Sequence, residues 1–329
     1  MIAAPSAIRS LVVATVALCV GLVAPLRADP TQAIPRIGVL SSSAANAPGE
    51  EGLRAGLREL GYADAQNARV EWRRSAGTLE ELRVLAVDLV GAKVDVIVTL
   101  GTPATRAALE ITRTVPVVFL VGDPVRLGFA DSLARPGGNA TGVSLLDADL
   151  SAKRLELLRL CVPRATRILY LMNSSNPVAP TMLKESEKAA HTLGVTLVRL
   201  DARNADELES ALQAVLRSRE DAILVSPDPL FQANILKIKV AVHKARLPGM
   251  FPYREYHGDG ALMSYGANLK EASRRAATYV DRILKGAKPA GLPIEQISAY
   301  ELVIDLRTAR TVGVIVPQDL LLRADEVIR

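Results

Sequence analysis

Hydroxyl, amide and carboxyl side chains stand directly after the short apolar segments of this chain. Ser42 and Thr102 follow two such segments in the first half, and Asn173 and Asp228 follow two in the second half. Side chains of these types can bind the charged and polar groups of a small ligand, and they can also cap helices. A helix that begins after them has free N–H groups that can bind an anion. The spacing therefore predicts either a polar binding site or a set of helix caps.

Sequence patterns of catalysis and metal binding are absent. The chain has no G-x-G-x-x-G after its first apolar segment, no G-x-x-x-x-G-K-[ST], no G-x-S-x-G and no H-E-x-x-H. Those patterns indicate dinucleotide, triphosphate, serine-hydrolase and zinc chemistry. We therefore predict no enzyme, no metal and no cofactor. The alternative is a weak acid–base group formed by His257 with Glu255 and Asp259.

Composition limits the class of protein. The 329 residues exceed a typical domain of about 100–150, which favours two domains. A charged fraction of 23% argues against a disordered chain. The net charge of +5 is spread without a basic block, so we expect no nucleic-acid partner. Two cysteines are too few for a disulfide scaffold. Only 4% of the residues are aromatic.

The N-terminal segment resembles an export signal. Arg9 precedes an apolar run over residues 11–26, and the small residue Ala28 follows. A membrane anchor is the alternative, but the run is shorter than the roughly 20 residues needed to span a bilayer. A lipoprotein anchor at Cys19 is disfavoured by the bulky Leu18 before it. We predict a signal peptide over residues 1–28 and a periplasmic location. The remaining cysteine, Cys161, is predicted to be buried.

Apolar β-branched runs alternate with helical patterns, and the same order occurs twice. In the first half, strands and helices are predicted at 36–40, 49–60, 70–72, 78–91, 94–99, 103–112 and 115–120. In the second half they are predicted at 167–171, 178–193, 195–200, 205–217, 221–225 and 247–251. Alternation of this kind indicates parallel βαβ units, and two copies indicate two similar α/β lobes. Helix 269–284 and the strand near 301–306 follow the second copy.

The expected place for a ligand is the carboxyl ends of the strands, because open parallel sheets bind their ligands there. Five aromatic residues fall near these ends in the second half: Phe231, Phe251, Tyr253, Tyr256 and Tyr265. Tyrosine and phenylalanine suit the lining of a ligand pocket, although core packing is the alternative, above all for Phe251. A carboxylate near Thr102 and an ammonium at Asp228 would suit a ligand similar to an amino acid.

Several segments resemble a known family, the ABC-transporter substrate-binding proteins of the tryptophan/tyrosine-binding type. The similar segments include Ile37-Gly38-Val39-Leu40, Gly101-Thr102-Pro103-Ala104, Gly122-Asp123-Pro124-Val125, Arg135-Pro136-Gly137-Gly138-Asn139, Tyr253-Arg254-Glu255 and Met263-Ser264-Tyr265-Gly266. The resemblance implies a type I periplasmic-binding-protein fold with two Rossmann-like lobes of parallel sheet and a three-strand hinge. Lobe one would comprise residues 34–142 and 267–297, and lobe two residues 143–266 and 298–329.

The resemblance also implies a function and a site. The protein would be a monomer that captures a small polar ligand by hinge closure and delivers it to an inner-membrane ABC permease. The alternatives are a ligand-sensing receptor for a membrane kinase and an exported enzyme. The ligand-binding positions that carry over from the family are Ser42, Thr102, Ala104, Asp123, Asn173, Asp228 and Tyr253.

Expression of the full chain in a Gram-negative host tests the predicted export signal. We expect the periplasmic fraction to contain protein that begins at Asp29, as determined by intact mass and N-terminal sequencing. Val16→Arg is the matched variant, because a charge in the apolar run should block export and leave the precursor in the cell. Export of the uncleaved chain would contradict the prediction.

Overall fold

Two sheets are formed by the residues that the computed structural model describes, which are 34–43, 47–75, 78–258 and 260–329. The predicted signal peptide over residues 1–28, with Cys19, and the candidate acid Asp259 lie outside the described residues. Each sheet is built mainly from parallel strands with helices between them, as the repeated pattern predicts. The predicted α/β fold is therefore confirmed.

The first sheet has six strands, all parallel to their neighbours. Its strands are β1 (Arg36–Ser41), β2 (Arg69–Arg74), β3 (Val96–Leu100), β4 (Val117–Val121), β5 (Ala140–Ser144) and β11 (Glu295–Gln296), in the order β11-β5-β4-β3-β1-β2. The helices between them are α1 (Pro48–Glu59), α2 (Leu79–Gly91) and α3 (Thr102–Ile111). β3 and β4 are buried at every position, because helices cover both faces of a parallel sheet.

The second sheet has seven strands, in the order β13-β12-β10-β9-β8-β6-β7. They are β6 (Arg167–Met172), β7 (Thr196–Asp201), β8 (Ala222–Val225), β9 (Gly249–Phe251), β10 (Met263–Ala267), β12 (Tyr300–Asp305) and β13 (Glu326–Ile328). The remaining helices are α4 (Asp147–Cys161), α5 (Ala179–Leu193), α6 (Ala205–Arg217), α7 (Pro229–Ala233), α8 (Ile235–Lys244), α9 (Leu269–Leu284), α10 (Leu306–Val312) and α11 (Gln318–Leu322), of which α9 packs against the first sheet. β12 pairs antiparallel with β10, and the other pairs are parallel.

Local sequence explains where several helices begin and end. The side chains of Thr78, Asn204 and Asn268 accept hydrogen bonds from backbone N–H groups three residues later and so cap α2, α6 and α9. A glutamate occupies the third helical position in each case, which is the arrangement of a capping box. α5 ends at Gly194, whose φ of 65° lies in the left-handed region that glycine tolerates.

The chain passes between the two sheets three times. The first passage leads from β5 into α4, the second from β10 into α9, and the third from β11 into β12. The short strands β11 and β13 lack a predictive pattern, because each has two or three residues and at least one of them is exposed. Cys161, at the end of α4, is buried as expected, and burial raises the pKa of its thiol to about 12.

α9 packs closely against α1 and thereby joins the elements of the first sheet. Two glycines on α1 make the close approach possible. A β-carbon at Gly52 would lie 2.0 Å from the backbone oxygen of Lys270, and one at Gly56 would lie 2.5 Å from that of Arg274. Since the obstacle at both positions is backbone, a side chain there would push the two helices apart.

Gly52→Ala tests this close packing. We expect a loss of about 1–3 kcal/mol in the free energy of unfolding, because the added methyl group overpacks the interface between the helices. Gly91→Ala at the end of α2 is the control, since no atom lies within 4 Å of its β-carbon position. The control should be neutral or stabilising by up to about 1 kcal/mol. Equal effects in urea denaturation would contradict the packing explanation.

Candidate ligand-binding site

Two adjoining cavities lie between the carboxyl end of the first sheet and the loops of the second. The inner cavity has a volume of about 80 Å³ and the outer one about 330 Å³. Asn176, Asp228 and Pro229 line both of them. The polar residues around the inner cavity are Ser41, Ser43, Thr102, Asp147, Asn176, Asp228, Gln232, Tyr253 and Tyr256. The lining thus combines residues of both halves of the chain.

Asp228 is a buried carboxylate whose hydrogen-bond donors are all uncharged. It caps α7 by accepting a hydrogen bond from the backbone N–H of Leu230 at 2.8 Å. The side-chain amides of Asn173 and Asn176 donate to its two oxygens at 3.2 and 2.8 Å. Burial raises the pKa of Asp228 to about 6, and these donors oppose the rise. Among the described residues no cationic side chain pairs with it.

Asp147 is the second buried carboxylate of the inner cavity, and it does have a cationic partner. It lies at the start of α4, directly after the first passage between the sheets. The guanidinium of Arg154 donates to its Oδ1 at 3.2 Å, and the Tyr253 hydroxyl donates to its Oδ2 at 2.9 Å. Burial raises the pKa of Asp147, and Arg154 and the tyrosine oppose that rise. Asp147 therefore sits in a neutral ion pair.

Arg154 connects this ion pair to the second passage between the sheets. Its side chain is only 1% exposed. Nε donates to the backbone oxygen of Tyr265 on β10 at 2.7 Å, and a terminal nitrogen lies 3.4 Å from the backbone oxygen of Pro252. Because a buried guanidinium needs all its donors satisfied, Arg154 fixes α4, β10 and the loop that carries Tyr253 relative to one another.

The two sides of the cleft touch each other directly. The Ser43 hydroxyl donates to Oε1 of Gln232 on α7 at 2.9 Å. Gly101 and Gly122 end β3 and β4 without side chains, where Pro229 and Asp147 approach from the other side. β-carbons at these glycines would lie 3.4 Å from Pro229 Cγ and 3.4 Å from Asp147 Cβ. The two sides of the cleft are therefore in direct contact in this structure.

Five of the seven predicted ligand-binding residues line a cavity. Thr102, Asp228 and Tyr253 line the inner cavity, and Ser42, Asn173 and Asp228 line the outer one. All five lie at or just after the carboxyl end of a strand, where the topology of a parallel sheet predicts a site. Ligand contact by these residues stays a prediction.

The other two predicted residues line neither cavity. Ala104 is fully buried in the first turn of α3, and its N–H donates to the Ser42 hydroxyl at 2.9 Å. Asp123 follows β4, but its carboxylate turns toward Arg126, with 3.3 Å between Oδ2 and Nε. A position near the end of a strand is therefore not enough to predict that a residue lines a cavity, because the local backbone decides where its side chain points.

The sequence analysis does not predict three residues of this region, Asp147, Arg154 and Gln232. Asp147 could have been found from one signal: it is an acidic residue at the first position of a helix that directly follows a passage between the sheets. Arg154, seven residues later, falls on the same face of α4 two turns on. Gln232 gives no such signal, since it lies inside the five-residue helix α7.

His257 and Glu255, the described members of the acid–base alternative, line neither cavity. Nε2 of His257 is 2.7 Å from the Ser264 hydroxyl oxygen, and burial lowers the pKa of this histidine to about 4. Glu255 accepts a hydrogen bond from the backbone N–H of Leu269 at 3.2 Å. In the described part of the chain, no three His, Cys, Asp or Glu side chains cluster as a metal site would require. No described helix combines the length and apolar character of a membrane span.

The fold and the cleft define a class of protein, the ligand-binding proteins with two largely parallel sheets on either side of a binding cleft. Residues 37–328 match the family model described as "ABC transporter substrate binding protein", and the chain belongs to that family. Its α/β architecture matches solved type I periplasmic binding proteins.

The chain is also similar to three particular proteins. A conserved domain protein from Vibrio cholerae has 27% sequence identity and a TM-score of 0.84, over 90% of this chain and 100% of that one. A Streptococcus pneumonia ABC domain in complex with L-Trp has 25% identity and a TM-score of 0.81, over the same shares. A tyrosine-binding protein of Clostridioides difficile is 23% identical over 79% of this chain and 75% of its own length.

The variant Asp147→Asn tests the buried ion pair. It leaves the Arg154 guanidinium buried without a counter-charge, so we expect a loss of about 3–5 kcal/mol in the free energy of unfolding. The double variant Asp147→Asn/Arg154→Met removes both charges and should recover at least half of that loss. Urea denaturation measures both effects. A double variant no more stable than the single one would show that the pair does not act through charge.

Proposed function

We propose that this protein is the extracytoplasmic solute-binding component of an ABC importer and that it captures an amino acid, with aromatic amino acids as the preferred class. It would close around its ligand as a monomer in the periplasm and present the closed form to an inner-membrane permease. Membership of the substrate-binding family supports the general role. The relatives that bind L-Trp and tyrosine support the choice of ligand class.

The observation that carries the proposal is the uncompensated charge of Asp228. A buried carboxylate costs free energy unless a cation accompanies it, and only neutral groups donate to this one. The α-ammonium group of an amino acid would supply the missing charge. Asp147 does not create the same demand, since Arg154 already neutralises it.

Groups on the opposite side of the inner cavity suit a carboxylate. α3 begins at Thr102 and α1 at Pro48, and Thr102 and Gly49 both line the cavity. Both helices are ten residues or longer, so their N-termini carry the partial positive charge of the helix dipole. An amino acid would thus place its opposite charges against complementary sides of the cleft.

Aromatic side chains on the second side suit an aromatic ligand. Tyr253 and Tyr256 line the inner cavity, and both are buried. Their rings meet edge to face at 5.6 Å between centroids, with an interplanar angle of 85°. A ligand ring could add to this arrangement, because aromatic pairs gain from edge-to-face and offset contacts beyond the area they bury.

Capture requires the cleft to open, because the inner cavity of about 80 Å³ is smaller than typical ligand pockets of about 300 Å³ or more. We take lobe one as residues 34–142 and 267–297, and lobe two as residues 143–266 and 298–329. The three passages between the sheets would act as the hinge. A ligand that bridges the lobes would shift the equilibrium toward the closed form.

Calorimetric titration with L-tryptophan and L-tyrosine tests the function, followed by the remaining amino acids. We expect saturable binding and a loss of about 10–100-fold in affinity for Asp228→Asn, because a charge-assisted hydrogen bond is lost. Asp88→Asn is the matched control, since its carboxylate is exposed on α2 and lines neither cavity, and it should bind as the wild type does. Absence of a saturable amino-acid ligand would refute the proposed function.

The pH dependence of affinity tests the role of Asp228 independently. With a pKa near 6 in the empty protein, Asp228 is ionised above that pH and protonated below it. An ammonium ligand binds the ionised form, so affinity should fall about tenfold from pH 7 to pH 5. In Asp228→Asn this dependence should disappear. If the affinity of the variant depended on pH as that of the wild type does, the group that titrates would not be Asp228.

A further inference from the structure

Tyr256 has an unusual position for a buried tyrosine. It ends the short 3₁₀ turn Arg254–Tyr256 that follows β9, and it lines the inner cavity. Only 2% of its surface is exposed. Its ring makes edge-to-face contacts with Tyr253 at 5.6 Å and with Phe251 at 6.5 Å. These two contacts fix the direction of the ring and hence the place of its hydroxyl group.

The Tyr256 hydroxyl makes no hydrogen bond with any described residue. Other tyrosines of the chain do have partners. Tyr253 donates to Asp147 at 2.9 Å, Tyr279 to the backbone oxygen of Pro293 at 2.8 Å, and Tyr300 to that of Ile297 at 2.6 Å. The hydroxyl oxygen is not one of the fully enclosed unpaired polar atoms of the described residues, so it keeps contact with the space of the cavity that Tyr256 lines. A molecule in the cavity would provide the partner.

The surroundings of Tyr256 make its hydroxyl a donor. Burial raises the pKa of this phenol well above its usual value, and the negative charges of Glu255, Asp228 and Asp147 raise it further. The group therefore keeps its proton at physiological pH. The nearby carboxylates of Asp147 and Asp228 can only accept hydrogen bonds when they are ionised. The Tyr253 hydroxyl already donates its hydrogen bond to Asp147. Tyr256 thus offers a hydrogen that its neighbours do not.

We propose that Tyr256 donates a hydrogen bond to the carboxylate of the bound amino acid whose ammonium group meets Asp228. This inference rests on the proposed function and adds a specificity-determining residue to it. Asp228 and Tyr256 both belong to the second half of the chain, on the loops after β8 and β9. The carboxylate would therefore lie between the Tyr256 hydroxyl on this side of the cleft and the N-termini of α1 and α3 on the other, so that both sides would hold it.

Tyr256→Phe tests the proposal, with binding and stability measured on the same protein. We expect the affinity for L-tryptophan to fall about 10–100-fold, because a hydrogen bond to a charged group is lost. The melting temperature of the ligand-free variant should stay unchanged or rise, since no hydrogen bond within the protein is removed. Tyr253→Phe is the matched variant, and its melting temperature should fall because it does lose a bond to Asp147.

Tryptamine, which lacks the carboxylate, identifies the acceptor. Tyr256→Phe should bind tryptamine as well as the wild type does, and failure of both proteins to bind tryptamine would equally show that the carboxylate is recognised. A variant that weakens tryptamine and L-tryptophan by the same factor would overturn the assignment of the carboxylate.

Two results would overturn the inference and leave the proposed function intact. In the first, the wild type binds L-tryptophan and Tyr256→Phe binds it equally well. In the second, affinity falls but the melting temperature of the ligand-free variant falls as in Tyr253→Phe, which would indicate a structural role. A wild type that binds no amino acid would instead refute the proposed function itself.

Discussion

The buried guanidinium of Arg154 holds together the part of the molecule where the two sheets meet. It contacts Asp147 just after the first passage of the chain between the sheets and Tyr265 just before the second. Through Pro252 it also reaches the loop that carries Tyr253. Removing a charged group from water is costly, so this arrangement persists only while all of its partners stay in place. The positions of the side chains in the cleft consequently depend on the region where the chain passes between the sheets.

Two carboxylates in one small cavity have different surroundings and therefore different capacities. Asp147 is neutralised by Arg154, whereas Asp228 is held by amide and backbone donors that leave its charge in place. Solvation by dipoles orients a carboxylate but does not cancel its long-range field. The cavity therefore carries a negative charge on the side of α7, where Asp228 lies, and is close to neutral on the side of α4, where Asp147 pairs with Arg154. This asymmetry would give the proposed zwitterionic ligand a preferred orientation.

The sequence predicts the fold well because buried parallel strands are continuous apolar runs that can be recognised in isolation. The signals that predict the helices α2, α6 and α9 are equally local, since their capping residues lie within one turn of the helix starts. The cavity is less predictable. Asp147 and Tyr253 are 106 positions apart, so their hydrogen bond leaves no local pattern. Ala104 is buried in the first turn of α3 and the Asp123 carboxylate faces Arg126, and both arrangements depend on local backbone geometry rather than on residue type.

The burial of Cys161 has a practical consequence. Because burial raises its pKa to about 12 and encloses its side chain, we expect this thiol to react only slowly with alkylating reagents. The chain's other cysteine, Cys19, lies in the predicted signal peptide. With residues 1–28 removed as predicted, a cysteine introduced at the rim of the cleft would carry the reactive thiol of the protein. A fluorophore attached there would report the proposed closure optically, which would make the scaffold suitable for a reagentless sensor of the proposed ligand.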